Sequence, residues 1–337
     1  MAMKCDSYEY FKRWLNEASA VFQCFAQLTP TFVPGLVYRH YRPVHYSPSS
    51  RSALAEAELV YKDDHVSHSV YVTFDLDLQS HDSTVAFRNL VASQTKVQLL
   101  VWTTTPWTLT ANMVRDFSRR ASTRSHFNAQ GVAVHPDITY ALIRPAERSD
   151  DGASTLIVAL ERLDALSKVI GKVEVLAQIR GPCIYHRFVA LCLLSHIGSE
   201  LAGARYCPLF ASLASDAVSE SIAVIASTHV TPDSGTGLVH CAPAHGAEDY
   251  NLFREQSLIS STSSIVCHVG EGGLFTNEVV HVVGKEAGET LIGQPVLDNG
   301  SRTIVGFLKN MGRLLKIERF KHRYPYDWKT DRPIIVT

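Results

Sequence analysis

Short apolar runs separated by polar segments dominate the pattern of this 337-residue chain. Runs of this length, rich in β-branched and aromatic residues, favour buried strands. They predict strands at about Ser69–Leu76, Val97–Thr103, Thr139–Arg144, Thr155–Leu160, Lys172–Gln178, Ala223–Val230 and Leu238–Cys241. Strands therefore account for most of the regular structure that the pattern predicts.

Apolar positions at helical spacing are fewer. They predict a helix from about Tyr8 to Gln27, a second from about Ala247 to Glu255, and a late amphipathic helix. The apolar positions of the late helix are Ile304, Phe307, Leu308, Met311, Leu314 and Leu315. Many short strands with a few helices predict an α+β, β-rich fold with a barrel-like core and peripheral helices.

One predicted strand ends in a cluster of hydroxyl groups. The apolar run Val97–Trp102 leads directly into Thr103–Thr105, and Pro106 then ends the strand because it has no N–H to donate. Uncharged hydroxyls on a stiff strand end, beside Trp107 and followed by Asn112, suit a ribose, an ester or an adenine edge. The alternative is that the threonines are present as good strand formers.

A second motif follows a glycine-rich turn. The turn Gly235–Gly237 allows the backbone to bend sharply into a strand with His240 at its end. Asp249 then falls in the first turn of the helix predicted from about Ala247. Taken alone, Asp249 could serve the helix dipole or a cap, and His240 could be a core histidine.

Together the two motifs resemble the two walls of the editing pocket of isoleucyl-tRNA synthetases. They read Trp102-Thr-Thr-Thr-Pro-Trp-Thr-Leu-Thr-Ala-Asn112 and Gly235-Thr-Gly-Leu-Val-His-Cys-Ala-Pro-Ala-His-Gly-Ala-Glu-Asp-Tyr250. The valyl and leucyl enzymes carry Arg-Pro after two threonines, and Lys or Met at the position of His240. The segments Pro43–Glu58 and His322–Thr330 resemble those that connect the inserted editing domain to the class I nucleotide-binding fold.

The resemblance runs from about Leu36 to the C terminus and implies three parts. Residues 1–58 form an N-terminal flank, residues 59–318 the editing domain, and residues 319–337 a return segment, so that the flanks are remnants of the catalytic domain. Two stretches, 114–130 and 182–198, interrupt the family pattern. They are either surface loops or translated introns, and in the second case deleting both should preserve stability.

The resemblance implies hydrolysis of mischarged Val-tRNA(Ile), and of valyl-adenylate, by an isoleucine-tRNA ligase. One methylene separates valine from isoleucine, and a hydrophobic pocket discriminates only weakly on that difference. In this interpretation Asp249 pairs with the substrate's α-ammonium group, and His240 closes the pocket against the larger side chain. Candidate catalytic residues are Asp249, Thr104 and Thr105; candidate substrate-binding residues are Thr103, Trp107, Thr108, Asn112, His240 and His245.

No metal or cofactor is expected in this part of the family fold. Some members carry a Cys-x-x-Cys pair on each flank that binds zinc, but the corresponding positions here are Ser47, Ser50, Asp327 and Thr330. The sequence also shows no metal-ligand motif and no Gly-x-Ser-x-Gly elbow. ATP and Mg²⁺ belong to the synthetic site, whose His-x-Gly-His and Lys-Met-Ser-Lys-Ser signatures this chain lacks.

Composition limits the partners. A net charge of −1 excludes a generally basic surface, although Arg313, Lys316, Arg319, Lys321 and Arg323 could contact tRNA phosphates or form a solvated helix face. No apolar run approaches the ~20 residues that span a membrane.

We expect a monomer in the mitochondrial matrix, or alternatively in the cytoplasm. Other functions remain open: a fragment of the ATP-dependent ligase, a free-standing deacylase, or a non-catalytic tRNA-binding module.

Overall fold

The computed structural model describes residues 42–80, 84–111, 131–146, 154–178, 197–213, 221–259, 265 and 267–337. The predicted helix Tyr8–Gln27 and the candidate residue Asn112 lie outside this range. The interruption 114–130 also lies outside it, as does 182–198 except for its last two residues. Among the described residues, no helix has the length and apolar character needed to cross a bilayer.

The described elements begin near the N-terminal flank and end close to the C terminus. The strands are β1 His45–Ser47, β2 Ser52–Ala53, β3 Leu59–Asp75, β4 Val97–Thr103, β5 Gly131–Val134, β6 Tyr140–Pro145, β7 Thr155–Ala159, β8 Val173–Gln178, β9 Arg205–Tyr206, β10 Ile222–Ala223, β11 Ile225–Ala226, β12 Leu238–Cys241, β13 Leu314–Asp327 and β14 Ile335–Val336. The α-helices are α1 Val85–Val91, α2 Leu163–Ile170, α3 Ile197–Leu201, α4 Ala247–Glu255, α5 Val280–Val283, α6 Lys285–Leu291 and α7 Ser301–Asn310. Short 3₁₀ turns cover Glu56–Glu58, Pro106–Ala111, Leu160–Arg162 and Asn277–Val279, and a π turn covers Val296–Gly300.

The largest sheet has six strands in the order β13-β3-β4-β7-β6-β8. Neighbouring strands in this sheet are antiparallel, except that β4 and β7 are parallel. Alternate residues of β4 face two different cores: Leu99 packs into the main core, whereas Leu100 packs with Leu166 of α2 on the opposite face. The strand-rich α+β class is thus confirmed. Among the described strands this sheet is open, with β13 and β8 at its edges, so the core is not a closed barrel.

A smaller sheet carries the second motif. Its order is β11-β5-β12, and β12 pairs antiparallel with β5, His240 lying opposite Val132. The strand expected at Ala223–Val230 is shorter than predicted, because only β10 and β11 form there. The hydroxyl of Ser227 contacts the ring of His229 and lies near its amide, and this local bonding turns the chain out of the ladder.

The late helix and its continuation differ from the prediction. Helix α7 ends at Asn310, and Gly312 follows in a left-handed conformation with φ of 66°. Leu314 and Leu315 therefore begin strand β13 and are not helical, so that part of the prediction is wrong. Strand β13 pairs antiparallel with β3 to form a long two-stranded extension that we call the ribbon. The boundary expected between residues 318 and 319 falls inside this strand.

At the base of the ribbon, the four positions that replace the zinc ligands come together. Asp327 is 0% exposed, and its carboxylate accepts hydrogen bonds from the hydroxyls of Ser47 at 2.7 Å, Ser50 at 2.8 Å and Thr330 at 3.0 Å. The amide of Lys329 donates to its other oxygen at 2.9 Å. We call the side chains of Ser47, Ser50, Asp327 and Thr330 the Asp327 cluster. The expectation that no structural zinc binds at these four flank positions stays a prediction.

Candidate functional site

The two sequence motifs meet at a cavity of about 300 Å³. Strand β4 ends on one side of it, and β12 with the first turn of α4 borders the other. The lining residues are Trp102, Thr103, Thr104, His229, Thr231, Ser234, Gly235, Leu238, Val239, His240, Glu248 and Asp249. The structure thus brings together residues that are more than a hundred positions apart in the chain.

The glycine turn before β12 is held in place by close packing. Gly235 and Gly237 adopt φ of 60° and 76°, where residues with a side chain are strained. A Cβ on Gly237 would lie 2.2 Å from the Cβ of Ala159, and the hydroxyl of Tyr140 donates to the Gly237 carbonyl at 2.8 Å. The sharp bend expected from the sequence is confirmed, and it directs β12 toward the cavity.

Hydroxyl groups line the end of β4. The hydroxyls of Thr103 and Thr105 are 3.2 Å apart, and that of Thr108 donates to the Thr105 carbonyl at 2.9 Å. Thr108 is buried under this turn. Among the described residues, the Thr104 hydroxyl makes no hydrogen bond within the protein. Thr104 is therefore the member of the rim whose donor and acceptor are both available to a ligand.

Asp249 lies at the start of α4 with few hydrogen-bond donors around it. Its Oδ2 accepts the amide of Ala242 at 2.8 Å, and its Oδ1 is 3.7 Å from Nε2 of His229. Burial raises the pKa of Asp249, and the Ala242 amide and the nearby His229 offset only part of this rise. Gly246 allows the carboxylate to fold back, since a Cβ there would lie 2.7 Å from Oδ2. The carboxylate has capacity for a further, cationic partner.

Two histidines near the cavity are uncharged. Burial lowers the pKa of His240 to about 4, with a smaller contribution from His245, and burial lowers the pKa of His245 to about 4 as well. His240 stacks on Phe74 with ring centroids 6.2 Å apart. His245 donates from Nδ1 to the carbonyl of Val336 at 2.9 Å and meets the edge of Trp107 at 4.7 Å between centroids. His240 lines the cavity, whereas His245 supports the turn that carries Trp107.

Six of the nine expected site residues line one or both of two cavities. Thr103, Thr104, His240 and Asp249 line the 300 Å³ cavity. A second cavity of about 440 Å³ is lined by Thr104, Thr105 and Trp107 together with residues of the ribbon and of α7. The larger cavity lacks Asp249 and His240, and its carboxylate, Asp298, already pairs with Arg302 at 2.8 Å. The smaller cavity is therefore the candidate reaction site.

The family assignment rests on a comparison with known sequences. The sequence model of the family "tRNA synthetases class I (I, L, M and V)" matches residues 7–280. The chain belongs to this family. The resemblance on which the expected site residues are based is thus confirmed at the level of the family.

Individual synthetases agree with this assignment. The chain is 31% identical over 310 residues to the probable mitochondrial isoleucine–tRNA ligase of Dictyostelium discoideum, covering 90% of this chain and 25% of the relative. It is 36% identical over 304 residues to the isoleucine–tRNA ligase of Thermosynechococcus vestitus, covering 89% and 26%. For the mitochondrial enzyme of Gallus gallus the identity is 34% over 303 residues, covering 90% and 24%. The chain spans about a quarter of the length of these relatives.

The matches to solved structures are more distant. The structure of GlLeuRS-CP1 matches with a TM-score of 0.46 and 14% identity, covering 74% of this chain and 98% of that one. The editing domain of the P. knowlesi cytosolic leucyl-tRNA synthetase matches with a TM-score of 0.42 and 11% identity, covering 76% and 98%. Membership in the synthetase family therefore rests on the sequence comparisons.

The predicted site residues do not include His229, although it lies beside Asp249 at this cavity. His229 lines the cavity and faces both Asp249 and the thiol of Cys241, whose sulfur is 3.9 Å from Nε2. No motif or spacing relates His229 to these residues, because it lies in the loop before the glycine turn and reaches them only through the fold. No local signal in the sequence points to it, because the pattern predicts a strand over Ala223–Val230 and His229 falls inside that range.

Proposed function

We propose that this part of the chain is an editing site that hydrolyses the ester of valine mischarged onto tRNA(Ile). The observation that carries the proposal is the Asp249 carboxylate, which lies in a 300 Å³ cavity with one backbone donor and a hydroxyl rim nearby. Family membership and relatives that are isoleucine–tRNA ligases support the identity of the substrate.

Asp249 would bind the α-ammonium group of the aminoacyl ester. An ionised carboxylate in a partly buried pocket gains more from a cation than it would in water, and pairing would restore the charge that burial disfavours. His240 is uncharged, because its pKa is about 4, so it does not repel the ammonium. Its ring, stacked on Phe74, would limit the size of the side chain that the cavity admits.

The hydroxyl rim would position the ribose and the ester. Thr103 and Thr104 line the same cavity as Asp249. A water molecule adds to the ester carbonyl, the bond between the carbonyl carbon and the ribose oxygen breaks, and that oxygen takes up a proton. The products are valine and tRNA with a free hydroxyl. Fixing the ester and the water in one geometry can supply much of the acceleration, so no nucleophilic side chain is required.

This chain covers about a quarter of the length of its relatives, and the whole protein would be an isoleucine–tRNA ligase like them. ATP-dependent activation and Mg²⁺ would belong to its synthetic site. Valyl-adenylate, whose mixed anhydride presents the same α-ammonium group, would be a second substrate of the editing cavity. We further propose that the protein acts in the mitochondrial matrix, because mitochondrial enzymes are among its relatives. The monomeric state stays a prediction.

The direct test is deacylation of charged tRNA by the full chain. We expect Val-tRNA(Ile) to be hydrolysed and Ile-tRNA(Ile) to be resistant. In His240→Ala the pocket loses the ring that limits substrate size, so Ile-tRNA(Ile) should become a substrate. A chain that binds tRNA(Ile) but hydrolyses neither ester would be a non-catalytic binding module, and the proposal would be wrong. Resistance of Ile-tRNA(Ile) to the His240 variant would remove His240 from the size-limiting role.

A further inference from the structure

Three potential metal ligands from separate elements converge beside the reaction cavity. They are the ring of His229, the thiol of Cys241 at the end of β12, and the carboxylate of Asp249 in α4, and we call them the His–Cys–Asp cluster. Nε2 of His229 lies 3.9 Å from the sulfur and 3.7 Å from Oδ1 of Asp249, and the three ligand atoms all lie within 4.8 Å of one another.

This spacing is close to that of a tetrahedral zinc site. Zn–N and Zn–O bonds of ~2.1 Å and a Zn–S bond of ~2.3 Å place neighbouring ligand atoms ~3.3–3.6 Å apart. The distances between the three ligand atoms would therefore need to shorten by only a few tenths of an ångström to about 1 Å. Asp249 keeps Oδ1 for this purpose, because the Ala242 amide occupies Oδ2.

The surroundings orient His229 as metal-binding histidines are oriented. Its other ring nitrogen, Nδ1, lies 2.7 Å from the hydroxyl of Ser227, which fixes the ring and leaves Nε2 facing Cys241 and Asp249. Thiolate, imidazole and carboxylate together suit a borderline-soft cation, whereas Mg²⁺ and Ca²⁺ prefer oxygen ligands alone. His229 and Asp249 also line the cavity, so a cation could enter from it. We propose that the His–Cys–Asp cluster is a binding site for Zn²⁺ or a similar thiophilic divalent cation.

The same three residues do not form a nucleophilic triad. In such a triad the acid and the nucleophile contact opposite nitrogens of the histidine, but Cys241 and Asp249 both face Nε2. Burial raises the pKa of the Cys241 thiol well above its ordinary value, and the Asp249 carboxylate raises it further. A bound cation reverses both effects, since it stabilises the thiolate directly.

Metal binding would block the editing reaction. This step rests on the proposed function, because it requires that Asp249 bind the substrate's ammonium group. A divalent cation held by Asp249 would occupy that carboxylate and place positive charge where the ammonium must lie. Zn²⁺ would thus compete with Val-tRNA(Ile), and the cavity would be a point at which thiophilic metal ions inhibit proofreading.

The metal site can be tested without tRNA. Co²⁺ added to the chelator-treated full chain should bind as one equivalent, with the absorption of tetrahedral coordination and a thiolate-to-cobalt charge-transfer band, and Zn²⁺ should displace it. The band should vanish in Cys241→Ser and in His229→Gln, and persist in Cys207→Ser and Cys267→Ser, which alter free thiols elsewhere. Ser227→Ala should weaken Co²⁺ binding by at least ~10-fold while the band remains.

Cys241→Ser and His229→Gln are used together so that misfolding of one variant does not invalidate the test. Cys241 is 0% exposed, so its replacement could disturb the core, but His229 is at the cavity wall and its Gln variant carries the same test. Absence of a charge-transfer band in the parent chain, or a band that survives in His229→Gln, overturns the proposal. Deacylation separates the two proposals: a cobalt-binding chain that never hydrolyses Val-tRNA(Ile) keeps the metal site and loses the editing function. If both proposals are correct, added Zn²⁺ should slow hydrolysis of Val-tRNA(Ile) by the parent enzyme but not by Cys241→Ser.

Discussion

Asp249 and Asp327 are both withdrawn from solvent, yet they accept very different sets of hydrogen bonds. Asp327 accepts three hydroxyls and one amide, and these bonds outweigh burial and lower its pKa to about 2. Asp249 accepts one amide and faces the ring of His229 and the thiol of Cys241, and burial raises its pKa. A buried carboxylate with a full set of donors contributes to the fold, whereas one left short of donors is available for a ligand.

The Asp327 cluster also explains how the ribbon base is joined without thiolates. Ser47 and Ser50 belong to the β1–β2 hairpin, and Asp327 ends β13, so the hydrogen bonds link segments about 280 residues apart in sequence. Hydrogen bonds to a charged group are individually stronger than neutral ones. An anion surrounded by hydroxyls can therefore hold two chain segments that zinc joins in some family members.

The largest expected effect is on the proposed hydrolysis, through Asp249. Asp249→Asn removes the charge that would pair with the α-ammonium, and losing one member of a buried charge pair costs at least ~2 kcal/mol, or ~30-fold in rate. Single-turnover hydrolysis of Val-tRNA(Ile) measures this loss. Asp298→Asn, in the larger cavity, is the control and should retain the parent rate. Parent-like hydrolysis by the Asp249 variant would remove this residue from the mechanism.

Asp327→Asn should lower the free energy of unfolding and leave the rate of hydrolysis unchanged. It removes the charge that three hydroxyls and an amide stabilise, and hydrogen bonds to charged groups contribute ~1.5–3 kcal/mol. Denaturant unfolding should show a loss of about 2 kcal/mol, with the rate per folded molecule unchanged. Asp331→Asn is the matched control, because Asp331 is exposed and an exposed ion pair such as its pair with Lys62 contributes little to stability. Equal losses in both variants would contradict a special role for the cluster.

Locally determined elements were predictable from the sequence. Strand β4, strand β12 and helix α4 have the bounds that the pattern predicts, because apolar runs and the flanking Pro106 and Gly246 define their ends. Strand β13 was not predictable in the same way. Its charged and half-exposed residues show no clear alternation, and it forms by pairing with β3 across a sequence separation of about 250 residues. Stacking of His65 on Tyr324, with centroids 4.3 Å apart, exists only after that pairing.

The candidate site likewise contains residues that could be predicted from the sequence and one that could not. Thr103, Thr104, His240 and Asp249 could be predicted because each lies in a motif with a recognisable spacing, and the fold places all four at one cavity. His229 could not be predicted, since its relation to Cys241 and Asp249 depends on how a loop returns to β12. The opposite pKa shifts of Asp249 and Asp327 likewise depend on neighbours that are distant in sequence.

A smaller effect on the rate is expected from the backbone under Asp249. In Gly246→Ala the added Cβ would lie 2.7 Å from Oδ2 of Asp249, so the carboxylate must shift while its charge is kept. We expect hydrolysis to slow by ~10-fold, which is ~1.4 kcal/mol of transition-state stabilisation. Gly306→Ala in α7 is the control, because nothing lies within 4 Å of its added Cβ. An unchanged rate in Gly246→Ala would show that the position of the carboxylate is not critical.

The smallest expected effect is on the pH dependence of stability, where the two aspartates should act in opposite directions. The folded pKa of Asp327, about 2, lies below its ordinary value of 3.8, so its ionised form stabilises the fold above about pH 4, and this contribution is lost as the pH falls from about 4 to about 2. The pKa of Asp249 is raised, so its protonated form favours folding at low pH and that contribution is lost as the pH rises through the folded pKa.

At neutral pH Asp327→Asn should therefore lower the unfolding free energy, whereas Asp249→Asn should leave it unchanged or raise it. The deficit of the Asp327 variant should shrink as the pH falls toward 2, because the parent carboxylate is then protonated too. Any gain of the Asp249 variant should disappear below about pH 4, the ordinary range of an aspartate. Denaturant unfolding of the parent and both variants at a series of pH values gives these differences. If both substitutions shifted neutral-pH stability in the same direction, the contrast between a structural and a ligand-binding carboxylate would not hold.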